Sequence, residues 1–158
     1  MFRTSVAALL GLVAAGLIGL GVNAASENTA PPSGVSPNAM ALQECAKACD
    51  DCKRTCDMCS AHCAAELTEG HKLHLETLRT CQDCASLCAA AGSVVARHGP
   101  FADIACSACA DACKRCGDAC EKHAAHDPMM KQCAEECRTC EKACREMLKH
   151  IQAGNAPK

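Results

Sequence analysis

The sequence predicts an all-α protein, an antiparallel up-down-up-down four-helix bundle with a cysteine-lined core. From Met40 onward the chain is rich in Ala, Glu, Lys, Leu, Arg and Cys, which have good or neutral helix propensity. The alternation of β-branched residues that strands favour is absent there. Gly and Pro interrupt this helical sequence at 68–70, 98–100 and 126–128. Connections this short make neighbouring helices antiparallel.

These three breaks divide the helical sequence into four predicted helices. Gly can end a helix and Pro can begin the next one, so the positions of these residues predict the helix boundaries. The predicted helices cover 38–66, 70–97, 101–124 and 128–152.

The N-terminal segment, 1–24, resembles a secretory signal peptide. Arg3 precedes an apolar run over 6–22 that ends in small residues, which predicts an exported protein, in bacteria a periplasmic one. An uncleaved anchor is the alternative, because a run of about 17 apolar residues is near the lower limit for spanning a bilayer. After cleavage we expect no stable membrane association.

The remaining segments divide into a polar leader, a bundle and a short tail. Residues 25–37 are mostly Ser, Glu, Asn, Thr, Pro and Gly, which cannot bury enough apolar surface to become ordered. The bundle domain is predicted over 38–153, and 154–158 are predicted to be a disordered tail. The formal net charge is -2, with both signs interspersed, so nothing indicates binding to nucleic acid.

Cysteine is the most informative residue type in this chain, which has no Trp, no Tyr and only two Phe to fill a core. Within each cluster the 18 cysteines are spaced by three or four residues. Alternating steps of three and four keep side chains on one stripe of a helix, so all of them are predicted to face the interior. The candidate ligands are Cys45, Cys49, Cys52, Cys56, Cys59, Cys63, Cys81, Cys84, Cys88, Cys106, Cys109, Cys113, Cys116, Cys120, Cys133, Cys137, Cys140 and Cys144.

Two non-metal interpretations of the stripe are weaker. Cysteine can serve as a small core hydrophobe, but leucine buries more apolar area and would stabilise the bundle better. An even cysteine number in an exported chain also suggests disulfides. Disulfide scaffolds are irregular and loop-rich, however, and a bridge within one helix would constrain almost nothing.

Soft thiolates select copper(I), zinc or iron–sulfur clusters, and charge separates these candidates. A zinc ion with four thiolates leaves a buried net charge of about -2, and several such sites would repel one another. Copper(I) takes two or three thiolates, and one sulfur can bridge two ions. About one Cu(I) per cysteine would leave the core neutral. Iron–sulfur ferredoxins use compact looped motifs instead of long helical stripes.

Cysteines one turn apart in a helix are predicted to clamp a metal between them and to form a column of sites. These pairs are Cys45 with Cys49, Cys52 with Cys56, Cys59 with Cys63, Cys109 with Cys113, Cys116 with Cys120, Cys133 with Cys137, and Cys140 with Cys144.

The two ends of the predicted bundle differ in chemistry. Soft-metal donors collect at one end, namely His62, His74, His123, His126, Met129 and Met130. Apolar residues are expected to close the other end as a plug, namely Leu42, Val94, Val95, Phe101, Ile104, Met147, Leu148 and Ile151. His74, His123 and Met130 fall on the extended stripe, so we expect copper(I) to enter there and pass to the thiolates.

The cysteine motifs CAKACDDCKRTCDMCSAHC, CQDCASLC, CSACADACKRCGDAC and CAEECRTCEKAC resemble those of the four-helix bundle copper-storage proteins. The resemblance covers Met40 to about Ile151. It implies that all 18 cysteines are Cu(I) ligands, that one end carries a His/Met opening, and that copies associate as a homo-oligomer, in some members a tetramer. Members with this many cysteines are more typically cytosolic, so the export prediction rests on 1–24 alone.

Two other functions stay open at this stage. A redox-active dithiol protein would use CxxC pairs, but it needs one or two distinctive accessible thiols, and no catalytic constellation accompanies them here. A general thiolate sink for zinc and other soft metals is weakened by the charge argument. The prediction is therefore storage of Cu(I) for copper enzymes or for detoxification, without enzymatic activity.

Overall fold

The structure, a computed structural model, describes residues 37–154, which form four α-helices joined by short turns. The helices are α1 (Pro37–Thr68), α2 (His74–Ala96), α3 (Ala102–Glu121) and α4 (Pro128–Gly154). Both α1 and α3 pack against α2 and α4, the arrangement of an up-down-up-down bundle. The predicted fold class is confirmed.

The helical bundle extends one residue beyond each of its predicted limits, since α1 begins at Pro37 and α4 ends at Gly154. The predicted signal peptide (1–24), the rest of the leader and the rest of the tail lie outside the described residues. Within residues 37–154, no helix combines the length and the apolar character needed to cross a membrane.

The turn between α1 and α2 begins with a left-handed glycine, Gly70, whose φ is 94°. The Gly70 N–H donates to the Leu67 carbonyl at 3.1 Å, and the His71 N–H donates to the Glu66 carbonyl at 3.0 Å. This pair of hydrogen bonds is the Schellman arrangement that satisfies the last carbonyls of a helix. Because the chain needs further residues to turn, α2 begins at His74 instead of the predicted residue 70.

The turn between α2 and α3 uses the same hydrogen-bonding pattern without a left-handed glycine. The His98 N–H donates to Val95 O and the Gly99 N–H donates to Val94 O, both at 2.9 Å. The residue with positive φ is His98, at 52°. The position of this break was predicted correctly, but the strained backbone φ is that of His98, the residue before Gly99.

The start of α4 has a complete N-terminal cap. Oδ1 of Asp127 accepts hydrogen bonds from the backbone N–H groups of Met129 at 2.9 Å and Met130 at 3.1 Å. Pro128 occupies the first helical position, where its missing N–H is no loss. The preceding residues, 122–126, form turns, so α3 ends at Glu121 and not at the predicted residue 124.

The core consists mainly of cysteine and alanine. The 18 cysteine side chains are at most 2% exposed. The few larger core side chains include Leu42, Val95, Met130 and Met147. Since cysteine and alanine bury little apolar area, packing alone stabilises this bundle less than a leucine core would.

Candidate metal centre

The thiols of all four helices meet along the axis of the bundle, and all 18 are free, buried cysteines. Most contacts between sulfur atoms join different helices. The Sγ atoms of Cys81 and Cys116 are 3.5 Å apart, and those of Cys49 and Cys144 are 3.6 Å apart. The predicted inward orientation of the whole stripe is confirmed.

Sulfur contacts within a single helix also occur. The Sγ atoms of Cys52 and Cys56 are 3.9 Å apart, as are those of Cys109 and Cys113, and both pairs were predicted. A further pair one turn apart, Cys84 and Cys88, has the same separation. Contacts between helices nevertheless dominate, so the sites belong to the bundle and not to single helices.

Overlapping groups of four thiols could each hold a metal ion, because their sulfur atoms lie within 4.8 Å of one another. They include Cys49, Cys109, Cys140 and Cys144; Cys52, Cys84, Cys88 and Cys113; Cys52, Cys56, Cys84 and Cys137; Cys56, Cys116, Cys133 and Cys137; and Cys59, Cys81, Cys120 and Cys133. A metal–sulfur bond of about 2.3 Å places the sulfurs of a three-coordinate ion about 4.0 Å apart. Since the groups share members, they form one continuous thiol column.

The thiol column contains no fixed positive charge. Apart from cysteine, the buried polar side chains in the described part of the chain are Thr55 and Thr77. The Thr55 hydroxyl donates a hydrogen bond to the Asp51 carbonyl at 3.0 Å, so its hydrogen-bonding partner lies within α1. Ionised thiols in this core must therefore be neutralised by bound cations.

Neighbouring thiols change one another's acidity. The contact with Cys144 lowers the pKa of Cys106, but the contact with Cys45 and burial outweigh it and raise that pKa to about 12. Contact with Cys113 lowers the pKa of Cys84 to about 7. The thiols therefore differ in how readily they ionise, and a metal that displaces the protons overcomes the cost of ionising the more basic ones.

At one end of the column the structure brings together three of the four predicted histidines and one of the two predicted methionines. Sδ of Met130, which is fully buried, lies 3.6 Å from Sγ of Cys59. The rings of His74 and His123 stack with centroids 5.2 Å apart, and the His62 ring lies 6.1 Å from that of His74. Nδ1 of His74 is buried and has no hydrogen-bond partner within the described residues.

Two residues at this end were missed by sequence reasoning. Asp127 accepts a hydrogen bond from Nε2 of His62 at 2.7 Å, which raises the pKa of His62. Burial raises the pKa of Asp127, but His62 and the backbone N–H groups lower it more, so the net direction is down. The ring of His71 lies 6.3 Å from that of His74. The Asp-Pro pair was a recognisable helix-start signal for Asp127, whereas nothing marked His71.

Two other residues predicted for this end differ in burial: His126 is exposed, and Met129 is half-buried against the core. At the opposite end the expected plug is only partly formed. Its buried or partly buried members are Leu42, Val94, Val95, Met147, Leu148 and Ile151. Phe101 is 66% exposed and Ile104 is 64% exposed, so their assignment to the plug is wrong. The buried α3 position at this end is Ala102, which puts both side chains on the outer face.

A four-helix bundle with a continuous thiol column defines a class of protein that binds several soft metal ions in its interior. The sequence profile of the family described as copper storage protein matches residues 38–149. The chain belongs to the copper storage protein family. The prediction of stored Cu(I) is thereby confirmed.

Solved structures support the family assignment. A cytosolic copper storage protein from Streptomyces lividans, with five coppers, has a TM-score of 0.66 and 34% identity, over 71% of this chain and 95% of that one. The apo form of copper storage protein 3 from Bacillus subtilis has a TM-score of 0.58 and 33% identity, over 66% and 96%. The Nmul_A1745 protein of Nitrosospira multiformis has a TM-score of 0.60 and 31% identity, over 70% and 97%. Comparison with curated protein sequences gives no match.

The prediction of an exported, periplasmic protein is contradicted by these comparisons. The matched Streptomyces protein is described as cytosolic. The export prediction depended on 1–24, which lie outside the described residues. It used hydropathy and charge alone, and these do not distinguish a processed export signal from other apolar segments.

Proposed function

We propose that the 18 cysteines are the Cu(I) ligands of this chain and that it holds on the order of one ion per cysteine. The observation that carries this proposal is the sharing of thiols between neighbouring four-sulfur groups. Cys52, for example, belongs to two of them. A shared sulfur can bridge two copper(I) ions, so adjacent sites fill as one column.

Charge balance supports copper(I) over zinc as the stored ion. Each thiolate contributes one negative charge and each Cu(I) one positive charge, so a ratio near one leaves the core neutral. Divalent zinc in groups of four thiolates would leave an excess of negative charge in a core without a buried cation.

Copper(I) enters the column through the His/Met end. His74, His123 and Met130 present imidazole and thioether groups beside the terminal thiols, and Met130 is in contact with Cys59. These donors bind Cu(I) more weakly than thiolates do, so an ion captured here moves on into the column. The arrangement suits storage without catalytic turnover.

Copies of the chain associate as a homo-oligomer, for which the exposed Phe101 and Ile104 offer apolar surface. Light scattering during size-exclusion chromatography should give a molar mass above that of one chain. A monomer at micromolar concentration would contradict this part of the proposal.

Anaerobic titration of the reduced protein with copper(I) against a competing chelator tests the storage proposal. We expect tight binding of more than about ten ions if thiolates share bridging coppers. Zinc titrated in the same way should saturate at fewer ions. Saturation with copper(I) at one or two ions would end the storage interpretation.

A further inference from the structure

A groove of about 430 Å³ runs between α1 and α4 at the end of the bundle opposite the His/Met end. Cys45 of α1 and Met147 and His150 of α4 line it, with Glu44 and Glu146 among its polar residues. The sequence predicted an apolar plug for this end. The groove instead combines a thiol, a thioether and an imidazole.

The thiol in the groove belongs to the one cysteine among the 18 that is not completely buried. Cys45 is 2% exposed, whereas each of the others is 0% exposed. Its Sγ lies 3.9 Å from Sγ of Cys106 and 4.0 Å from Sγ of Cys144, which in turn lies 3.6 Å from Sγ of Cys49. Cys45 therefore links the groove directly to the thiol column.

One donor in the groove is exposed and two are buried. His150 is exposed, whereas Met147 and Cys45 are each 2% exposed. Imidazole, thioether and thiolate are all ligands for copper(I), and thiolate is the strongest of the three. Charge adds little to the approach of a cation, because Glu44 and Glu146 share the groove with Lys142 and Glu146 is paired with Lys149 at 2.7 Å.

Two other grooves in the described part of the bundle lack that combination. The groove between α2 and α3 is lined by Cys84 but by neither His nor Met. The groove between α1 and α2 contains His98 but no cysteine. These two grooves supply matched controls, because each contains one kind of donor that the α1–α4 groove also has, a cysteine or a histidine.

We propose that the α1–α4 groove is a second copper(I) site, in which His150, Met147 and Cys45 bind the ion as it passes between solvent and the column. The proposal rests on the proposed function, since it requires a column that holds copper(I). The step is a ligand exchange without a change of oxidation state. The ion leaves the imidazole and thioether and bonds to the Cys45 sulfur, while the Cys45 thiol proton goes to solvent.

Loading rates in a protein with a disabled His/Met end test this site. The background is the His74→Ala, His123→Ala, Met130→Leu variant, loaded anaerobically from a copper(I)–chelator complex and followed by chelator absorbance. We expect the background to load slowly but fully. Adding Met147→Leu and His150→Ala should slow loading severalfold further with capacity unchanged, because leucine conserves the core volume of methionine.

The control is His98→Asn in the same background, which removes an imidazole at the same end of the bundle. Asparagine tolerates the left-handed backbone at this position, and this variant should load like the background. Equal rates for the background, the control and the Met147→Leu, His150→Ala variant would overturn the second site. Should that variant fail to fold, His150→Ala alone, at an exposed position, gives the same comparison. A capacity of one or two ions in the unmodified protein would instead refute the storage function.

Access to the groove can be measured without copper. Brief treatment of the reduced apo protein with a small neutral alkylating reagent, followed by peptide mass spectrometry, should modify Cys45 before Cys84. Faster modification of Cys84 would overturn the proposal, since the groove thiol would then not be the more accessible one.

Discussion

Nε2 of His62 on α1 lies 2.7 Å from Oδ2 of Asp127, the residue that caps α4. The other carboxylate oxygen of Asp127 accepts the backbone N–H groups of Met129 and Met130. One side chain therefore stabilises the start of α4 and joins it to α1. Met130, placed by this cap, contacts Cys59 at the end of the thiol column.

Replacement of Asp127 by alanine should lower the free energy of unfolding of the reduced apo protein by about 1 kcal/mol. The reason is the loss of the carboxylate that satisfies two backbone donors at the helix start. Urea denaturation followed by far-ultraviolet circular dichroism measures the effect. Chelator and reductant in the buffer keep metal binding and disulfides from changing the result.

The control for this prediction is Asp127→Asn, because asparagine retains a side-chain oxygen for capping. The asparagine variant should be nearly as stable as the unmodified protein. Equal losses for the alanine and asparagine variants would mean that the charge beside His62, and not the cap, is the main contribution.

Removal of the soft donors at the His/Met end should slow copper(I) loading and leave the final capacity almost unchanged. The triple variant His74→Ala, His123→Ala, Met130→Leu retains all 18 thiols. Stopped-flow mixing with a copper(I)–chelator complex gives the rate, and the plateau gives the capacity.

The matched control is His126→Ala, because His126 is exposed at the same end of the bundle. This control should load at the rate of the unmodified protein. An unchanged rate in the triple variant would contradict the proposed path, whereas a reduced plateau would mean that the three residues are storage ligands.

The thiol column was predictable because helical periodicity fixes the direction of each side chain. A step of three or four residues returns the chain to the same face, so Cys45 and Cys63 point into the same interior from opposite ends of α1. Helical periodicity depends on no other helix, and it correctly placed every cysteine in the interior.

Helical periodicity also applies to Phe101 and Ile104, which were wrongly assigned to the apolar plug. They lie five and two residues before Cys106, whereas Ala102, four residues before it, is on the cysteine stripe and is buried. The groove beside Cys45 was not predictable in this way, because it depends on the spacing between α1 and α4, which the local sequence does not determine.

The end of α2 shows the same limit for backbone conformation, and it yields a further prediction. His98 has a φ of 52°, a conformation that costs a residue with a Cβ atom about 1–2 kcal/mol. His98→Gly should therefore raise the free energy of unfolding of the apo protein by about 1 kcal/mol. The same urea titration measures the change.

The control for His98→Gly is Gly70→Ala, which is the reverse kind of substitution at another left-handed position. Gly70 has a φ of 94°, and a Cβ atom there would meet nothing within 4 Å, so only backbone strain opposes the change. The alanine variant should lose about 1 kcal/mol or more. If neither variant moves in its expected direction, the left-handed conformations do not limit the stability of this bundle.

At Gly92, α2 packs closely against α1, and replacement of this glycine by alanine should destabilise the bundle. A Cβ atom at this position would lie 3.2 Å from Cβ of Cys49 and 2.9 Å from Oδ1 of Asp50. Alanine improves helix propensity by about 1 kcal/mol, but overpacking against another helix typically costs about 1–3 kcal/mol. Cys49 Cβ is held close to the α1 backbone, so the cost should exceed the gain.

Gly117→Ala is the comparison that isolates packing, since its new Cβ would meet only the flexible guanidinium of Arg138, at 3.0 Å. That half-buried side chain can move away at the expense of its ion pairs with Asp118, Glu121 and Glu141, each worth about 1 kcal/mol or less, and of its hydrogen bond to the Lys114 carbonyl. In urea denaturation we expect Gly92→Ala to unfold at a lower midpoint than Gly117→Ala. A higher midpoint for Gly92→Ala than for the unmodified protein would show that α1 and α2 have room to separate, in which case the sulfur spacing around Cys49 would not depend on this glycine.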